Sequence, residues 1–166
     1  MDLDVIEITT PTVVSDAIGD VAIGPIEIPY AVSTPGGSSL LQTCIVYNPS
    51  ANDCPMDVFI SNTSSGWTTE TDASGDVLSV GAGDWAHGDR FDSDANVLTV
   101  LGGVQCFFNT GTGTSMGSAD KLSFVSSIGA PCKAAAGSTS LYLWAIATST
   151  GDPDAALTIK LGFVKD

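Results

Sequence analysis

The chain has 166 residues, of which 43% are hydrophobic and 14% charged, so it can form one domain with a core and is too apolar to be disordered. Nineteen acidic residues stand against five basic ones, a formal net charge of −14. This balance argues against nucleic acid as a partner, because phosphates require cationic side chains, and against an anionic membrane surface.

The N-terminal sequence MDLDVIEI is acidic, unlike a secretory signal, and the longest apolar run, residues 141–147, is too short to span a membrane. We therefore expect a single soluble domain over residues 1–166 that is made in the cytosol.

The first half of the chain alternates apolar and polar residues, which is the period of a β-strand. Its N-terminal apolar residues predict a short strand or an arm over residues 1–10 whose side chains bind a partner: Leu3, Val5, Ile6 and Ile8. Such an arm can add a strand to a neighbour's open sheet edge, and its removal is expected to leave the fold intact. Val21–Ile28 is interrupted by Gly24 and Pro25, which suits a sheet edge or an irregular crossing. Leu40–Tyr47 and Met56–Ser61 follow as strands.

The second half predicts further strands. Val77–Val80 is a short candidate, and Gly102-Gly103 suggests a hairpin turn between residues 97–101 and 104–109. Three stronger strands cover residues 122–128, 140–148 and 156–164. The middle one is apolar on both faces and is therefore expected to lie inside a sheet with cover on each side. The last turns one apolar row inward: Leu157, Ile159, Leu161 and Phe163.

This count predicts an all-β fold with eight or nine strands and no helix. A two-sheet antiparallel sandwich follows, because each sheet must bury one face against another layer. A jelly roll is the expected topology. An immunoglobulin-like sandwich is the alternative, although its Cys…Trp…Cys spacing is absent.

The sequence contains partial matches to catalytic and metal-binding motifs, but the residues around each match do not fit the motif. We therefore predict no catalytic, cofactor or metal site. Ser115 lies in a G-x-S-x-G match, but a nucleophile elbow needs a strand before it, a helix after it and a later histidine, whereas His87 precedes it. Asp92-Ser-Asp94-Ala-Asn96 begins like a calcium loop but lacks the glycine and glutamate of an EF-hand. An irregular calcium site within residues 84–96 stays open, as does an Asp/Asp/His site at His87.

Four cysteines, none in a C-x-x-C pair, give no zinc or redox motif: Cys44, Cys54, Cys106 and Cys132. Without an export signal, reduced thiols are the expected state, and disulfides stay possible. Trp67 and Trp85 lie in polar loops, where they either cover an end of the sandwich or stack on a sugar ring. The latter makes a carbohydrate-binding or host-recognition module the alternative to a structural protein.

The C-terminal segment, residues 130–166, resembles the ending of small β-rich virion proteins of tailed bacteriophages. The likeness rests on the turn at Gly137–Thr139, the strand at Leu141-Tyr142 and the closing pattern at Ile159–Phe163. The resemblance implies a jelly-roll cement or decoration protein that is non-enzymatic and located on the capsid surface of the virion, after assembly in the host cytoplasm. It also implies the major capsid protein as partner and a homotrimer as the assembled form.

Overall fold

Eight strands make up the fold in a computed structural model that describes residues 3–13, 21–50, 52, 55–64, 100–106, 121–147 and 154–165. No helix occurs within these ranges. The strands, in chain order, are β1 Leu3–Val13, β2 Val21–Ile28, β3 Ser38–Asn48, β4 Met56–Ser61, β5 Val100–Cys106, β6 Lys121–Lys133, β7 Leu141–Ala147 and β8 Ala155–Lys165.

The strands form two four-stranded antiparallel sheets. Sheet I has the order β1-β8-β3-β6, and sheet II has the order β2-β7-β4-β5. The first strand pairs with the last, the second with the seventh, the third with the sixth and the fourth with the fifth. This nested pairing is a single antiparallel ribbon rolled across two layers, which is a jelly roll. The prediction of an all-β sandwich with this topology is confirmed.

One corner of the roll shows how the ribbon passes between the sheets. Thr34 O accepts a hydrogen bond from Gly37 N, and Ala135 O accepts one from Ser138 N, so each connection folds into a four-residue turn. The third residue of each turn, Gly36 and Gly137, has a positive φ, as a type II turn requires. Gly36 N also donates to Ser138 O at 2.8 Å. The two turns are therefore hydrogen-bonded to each other as the chain crosses from one layer to the other.

The core lies between the sheets and comes from alternate residues of each strand. Fully buried side chains from sheet I meet those from sheet II, and the main contributors are Leu41, Cys44, Val46, Leu157, Ile159, Leu161 and Phe163 on one side and Ile28, Met56, Val58, Ile60, Leu141 and Leu143 on the other. The inward row predicted for β8 is confirmed. Each such side chain contributes about 1.5–3 kcal/mol through burial.

Two further predictions are confirmed in sheet II. β2 lies at the sheet edge, and its register with β7 shifts between Ile23 and Ile26, where Gly24 and Pro25 interrupt the strand. β7 lies between β2 and β4, and Trp144 is buried on the face of β7 opposite the core residue Leu143. Its Nε1 donates to Ser61 Oγ at 2.8 Å. Both faces of β7 are therefore covered at this point.

Gly102 and Gly103 do not form a hairpin turn. They lie within β5 and pair with Ile60 and Phe59 of β4. Glycine accepts extended backbone as readily as a turn, so long-range pairing with β4 decides its conformation here. The candidate strand at residues 77–80 lies outside the described residues.

The N-terminal segment is part of the domain and not a separate arm. β1 pairs antiparallel with β8 from Leu3 to Val13, and Ile8 belongs to the core. Thr10 Oγ1 accepts a buried hydrogen bond from Leu157 N at 2.9 Å. Removal of residues 1–10 would uncover part of the core and the edge of β8, so we now expect this deletion to destabilise the fold and not to leave it intact.

Candidate functional site

The predicted partner-binding residues of β1 divide between two faces. Leu3 and Val5 point away from the core and are 53% and 60% exposed, whereas Ile6 packs partly against the core and Ile8 lies within it. Successive side chains of a strand alternate between faces, so a partner that approaches from outside can contact Leu3 and Val5 but not Ile8.

Leu3 begins an apolar row that crosses the whole outer face of sheet I. Register places Leu3 beside Val164, Val164 beside Leu40, and Leu40 beside Pro131. Directly opposed residues on one face of a sheet have Cβ atoms about 4.5–5.5 Å apart, so these four side chains form a continuous band. Leu40 is 39% exposed. The band is thus an apolar surface open to a partner.

A second apolar area lies further along the same face. Ile45 of β3 is opposite Phe124 of β6, and Phe124 is 57% exposed. Beside this pair is a shallow hollow of about 370 Å³ lined by Glu7, Ile45, Tyr47, Leu122, Thr158 and Lys160. The hollow combines an aromatic ring and aliphatic side chains with a carboxylate, an ammonium group and a hydroxyl.

Charge on sheet I differs sharply from that of the whole chain. Its four strands carry all four lysines of the chain but only two of the nineteen acidic residues, Asp4 and Glu7. Lys160 Nζ lies 2.9 Å from Glu7 Oε2, and Lys165 Nζ lies 2.6 Å from Asp4 Oδ2. The outer face of sheet I therefore presents apolar groups and one carboxylate, Glu7, which is neutralised by Lys160, in a chain whose net charge is −14. Asp4 lies on the opposite side of β1 from Leu3 and Val5, where Lys165 pairs with it.

Sequence reasoning missed Leu40 and Phe124 as members of this face. A signal was present, because Leu40 and Leu41 are adjacent and cannot both point into the core from one strand. Phe124 lies beside Val125, which packs against the core, so the same reasoning turns the ring outward. Without the strand register, however, nothing joins these two residues to Leu3 and Val5.

The other candidates from the sequence lie outside the described residues. These are Ser115, His87, the Asp-rich loop at residues 84–96, and the two tryptophans Trp67 and Trp85. Among the described residues, no group of three or more His, Cys, Asp or Glu side chains is arranged to hold a metal ion.

Cys44 and Cys132 are buried thiols and not halves of a disulfide. Burial raises the pKa of the Cys132 thiol to about 11, against the smaller opposite effect of a backbone hydrogen bond from Leu41. A thiol with so high a pKa is a poor nucleophile at neutral pH, because the thiolate is the reactive form. Cys132 therefore serves as a small core side chain.

No protein-family model matches the chain, and a comparison with curated proteins found no match. Within the described ranges there is no helix with the length and hydrophobicity needed to cross a membrane.

Proposed function

We propose that this protein is a non-enzymatic virion structural protein, a cement or decoration protein that binds the exterior of a bacteriophage capsid through the outer face of sheet I. The observation that carries the proposal is the exposed apolar band from Leu3 to Pro131, together with Phe124, on a strongly acidic chain. Exposed apolar areas of this kind mark sites of protein interaction.

The sandwich gives this face the rigidity that a clamp needs. β3 and β8 lie inside sheet I and pair along most of their length, so Leu40 and Val164 are held in a fixed arrangement. Burying such side chains against a capsid subunit supplies affinity without reorganising the protein. A clamp that binds only the assembled shell stabilises that shell by mass action.

Charge supports a position on the outside of a shell. A chain with a net charge of −14 is repelled by packaged DNA, whereas the Glu7 carboxylate on the outer face of sheet I is paired with Lys160. The resemblance of residues 130–166 to virion proteins supports the same role, and these residues form the end of β6 and all of β7 and β8. The major capsid protein is the partner in this proposal.

The test compares phage particles that carry the protein with particles from which its gene is deleted. Bound protein is measured by mass spectrometry, and shell stability by the temperature at which a dye detects released DNA. We expect the deletion to lower that temperature and the added wild-type protein to restore it. The proposal is contradicted if wild-type particles do not contain the protein, or if the deletion particles release their DNA at the same temperature as wild-type particles.

Variants locate the docking face. Phe124→Asp and Leu40→Asp each place a charge on the apolar surface, and we expect them to fold but not to bind particles. Tyr30→Asp is the matched control, because Tyr30 is 73% exposed in the β2–β3 connection and its φ of 55° suits aspartate. If all three variants bind like wild type, sheet I is not the docking face.

The hollow beside Phe124 favours a second candidate, a carbohydrate-binding or host-recognition module. Tyr47 and Leu122 can pack against the apolar face of a sugar, while Glu7, Lys160 and Thr158 can hydrogen-bond its hydroxyl groups. A glycan array followed by calorimetry with the Tyr47→Ala variant tests it. Binding that survives Tyr47→Ala, or no binding at all, argues against this candidate.

A further inference from the structure

We infer that β1 is a self-association edge, at which two copies of this chain pair antiparallel about a two-fold axis. β1 is the terminal strand of sheet I, and among the described residues no strand lies on its outer side. An edge strand presents unpaired backbone N–H and C=O groups that can pair with another strand. This inference does not depend on the proposed capsid role.

The usual protection of such an edge is cancelled here. Natural proteins place charged side chains on edge strands to prevent pairing. β1 has two carboxylates, but Lys165 pairs with Asp4 and Lys160 pairs with Glu7. Both lysines come from β8, the neighbouring strand, so the charges are neutralised from within the sheet. Two copies of a −14 chain can therefore approach along this edge with little local repulsion.

The exposed aliphatic side chains lie where a second strand would cover them. Leu3 and Val5 are more exposed than Leu40, which lies on β3 inside the same sheet. An axis perpendicular to the sheet keeps both outer faces on the same side, so outward residues of one copy meet outward residues of the other. Centred on Ile6, the axis pairs Val5 with Glu7 of the partner subunit and Leu3 with Thr9 of the partner subunit. No carboxylate then lies directly opposite another.

The regular part of β1 matches this arrangement. Its register with β8 is unbroken from Leu3 to Thr9 and shifts only between Thr9 and Thr12, where Pro11 removes a backbone donor. Ile6 is the midpoint of that regular stretch. Pairing about Ile6 therefore uses its full length and ends before the proline.

The opposite edge of sheet I explains why the contact is two-fold and not head-to-tail. β6 shifts register with β3 between its pairs at Ser126 and Ala130, and Gly129 has a positive φ. Such bulges protect an edge from strand addition. A ring of three copies that joins β1 to the full length of β6 would meet this bulge, whereas the two-fold contact uses only residues 3–9 of β1, which are regular in both copies. The edge thus favours a dimer over the homotrimer that the resemblance implies.

The experiment measures mass and amide exchange in solution without capsids. Multi-angle light scattering over a dilution series should show a monomer–dimer equilibrium. Hydrogen–deuterium exchange of residues 3–9 should slow as concentration rises, while exchange in β6 stays constant. A monomer at every concentration, a trimer, or a dimer in which exchange of residues 3–9 does not depend on concentration overturns the inference.

Variants test the charge argument independently of folding. Val5→Asp should raise the dissociation constant by about tenfold or more, because like charges enter the paired edge, and Tyr30→Asp should leave it unchanged. Lys160→Gln exposes the Glu7 charge and should weaken the dimer at low salt, and the double variant Glu7→Gln/Lys160→Gln should restore it. If Lys160→Gln and the double variant weaken association equally, or if neither changes it, charge neutralisation at the edge is refuted.

Discussion

Thr10 performs a structural task at the point where the ladder between β1 and β8 is interrupted. Thr9 pairs with Thr158 and Thr12 pairs with Ala156, so two residues of β1 stand opposite Leu157 alone. Leu157 N donates to Thr10 Oγ1 at 2.9 Å, and the same hydroxyl donates to Pro11 O at 2.7 Å. The side chain thus supplies the acceptor that the bulged backbone does not.

We expect Thr10→Val to lower the free energy of unfolding by about 1–3 kcal/mol, the cost of leaving a buried N–H without an acceptor. Valine has nearly the same shape, so little packing is lost. In a chain of 166 residues this corresponds to a fall in Tm of roughly 2–4 °C for each kcal/mol.

Urea unfolding followed by tryptophan fluorescence measures the change, and Thr10→Ser is the control that keeps the hydroxyl. The reasoning is refuted if Thr10→Val unfolds at the wild-type urea concentration, or if Thr10→Ser loses as much stability as Thr10→Val.

Three further predictions concern stability. Ser61→Ala removes the acceptor of the buried Trp144 Nε1–H and should lower the free energy of unfolding, measured in urea, by about 1–3 kcal/mol. Ser38 is exposed, so the control Ser38→Ala should leave the free energy of unfolding almost unchanged. Because burial raises the pKa of the Cys132 thiol to about 11, the folded state keeps its proton when the unfolded state loses it. Stability should therefore fall as the pH rises from about 9 to about 11, and Cys132→Ala should reduce that fall; an unchanged pH dependence would contradict the assignment. Tyr30→Asn should raise the Tm by relieving up to about 1 kcal/mol of backbone strain at φ 55°, and Tyr30→Val should lower the Tm. A Tm of Tyr30→Asn below that of wild type would show that the contacts of the tyrosine ring outweigh this strain.

Local patterns located most strands because a strand needs only alternation and turn residues, both of which are visible along the chain. The apolar row of β8 and the interrupted edge strand β2 were predicted on these grounds and are confirmed. Gly102-Gly103 shows the limit of the method, since a glycine pair is compatible with both a turn and an extended strand. Pairing with β4 settled the matter.

The candidate site was harder to predict from the sequence than the strands were. Leu3 and Val5 were predicted as partner-binding residues on either a short strand or an arm, because an apolar N-terminal segment gives no sign of whether it leaves the domain. Its place depends on β8, which lies some 150 residues later, and on contacts such as Thr10 with Leu157. The band that joins Leu3 to Leu40 and Pro131 depends on three such registers at once.

The sequence by itself determined an acidic all-β chain whose strands turn apolar residues to a common core, because burial of alternate side chains is a local consequence of strand geometry. Tertiary structure alone decided which strands are neighbours, which apolar residues are left on the outer face of sheet I, and which carboxylates are neutralised by lysines. The reason is that cross-strand register joins residues that are distant in the chain, and that information resides in the packed ribbon and not in any one segment of it.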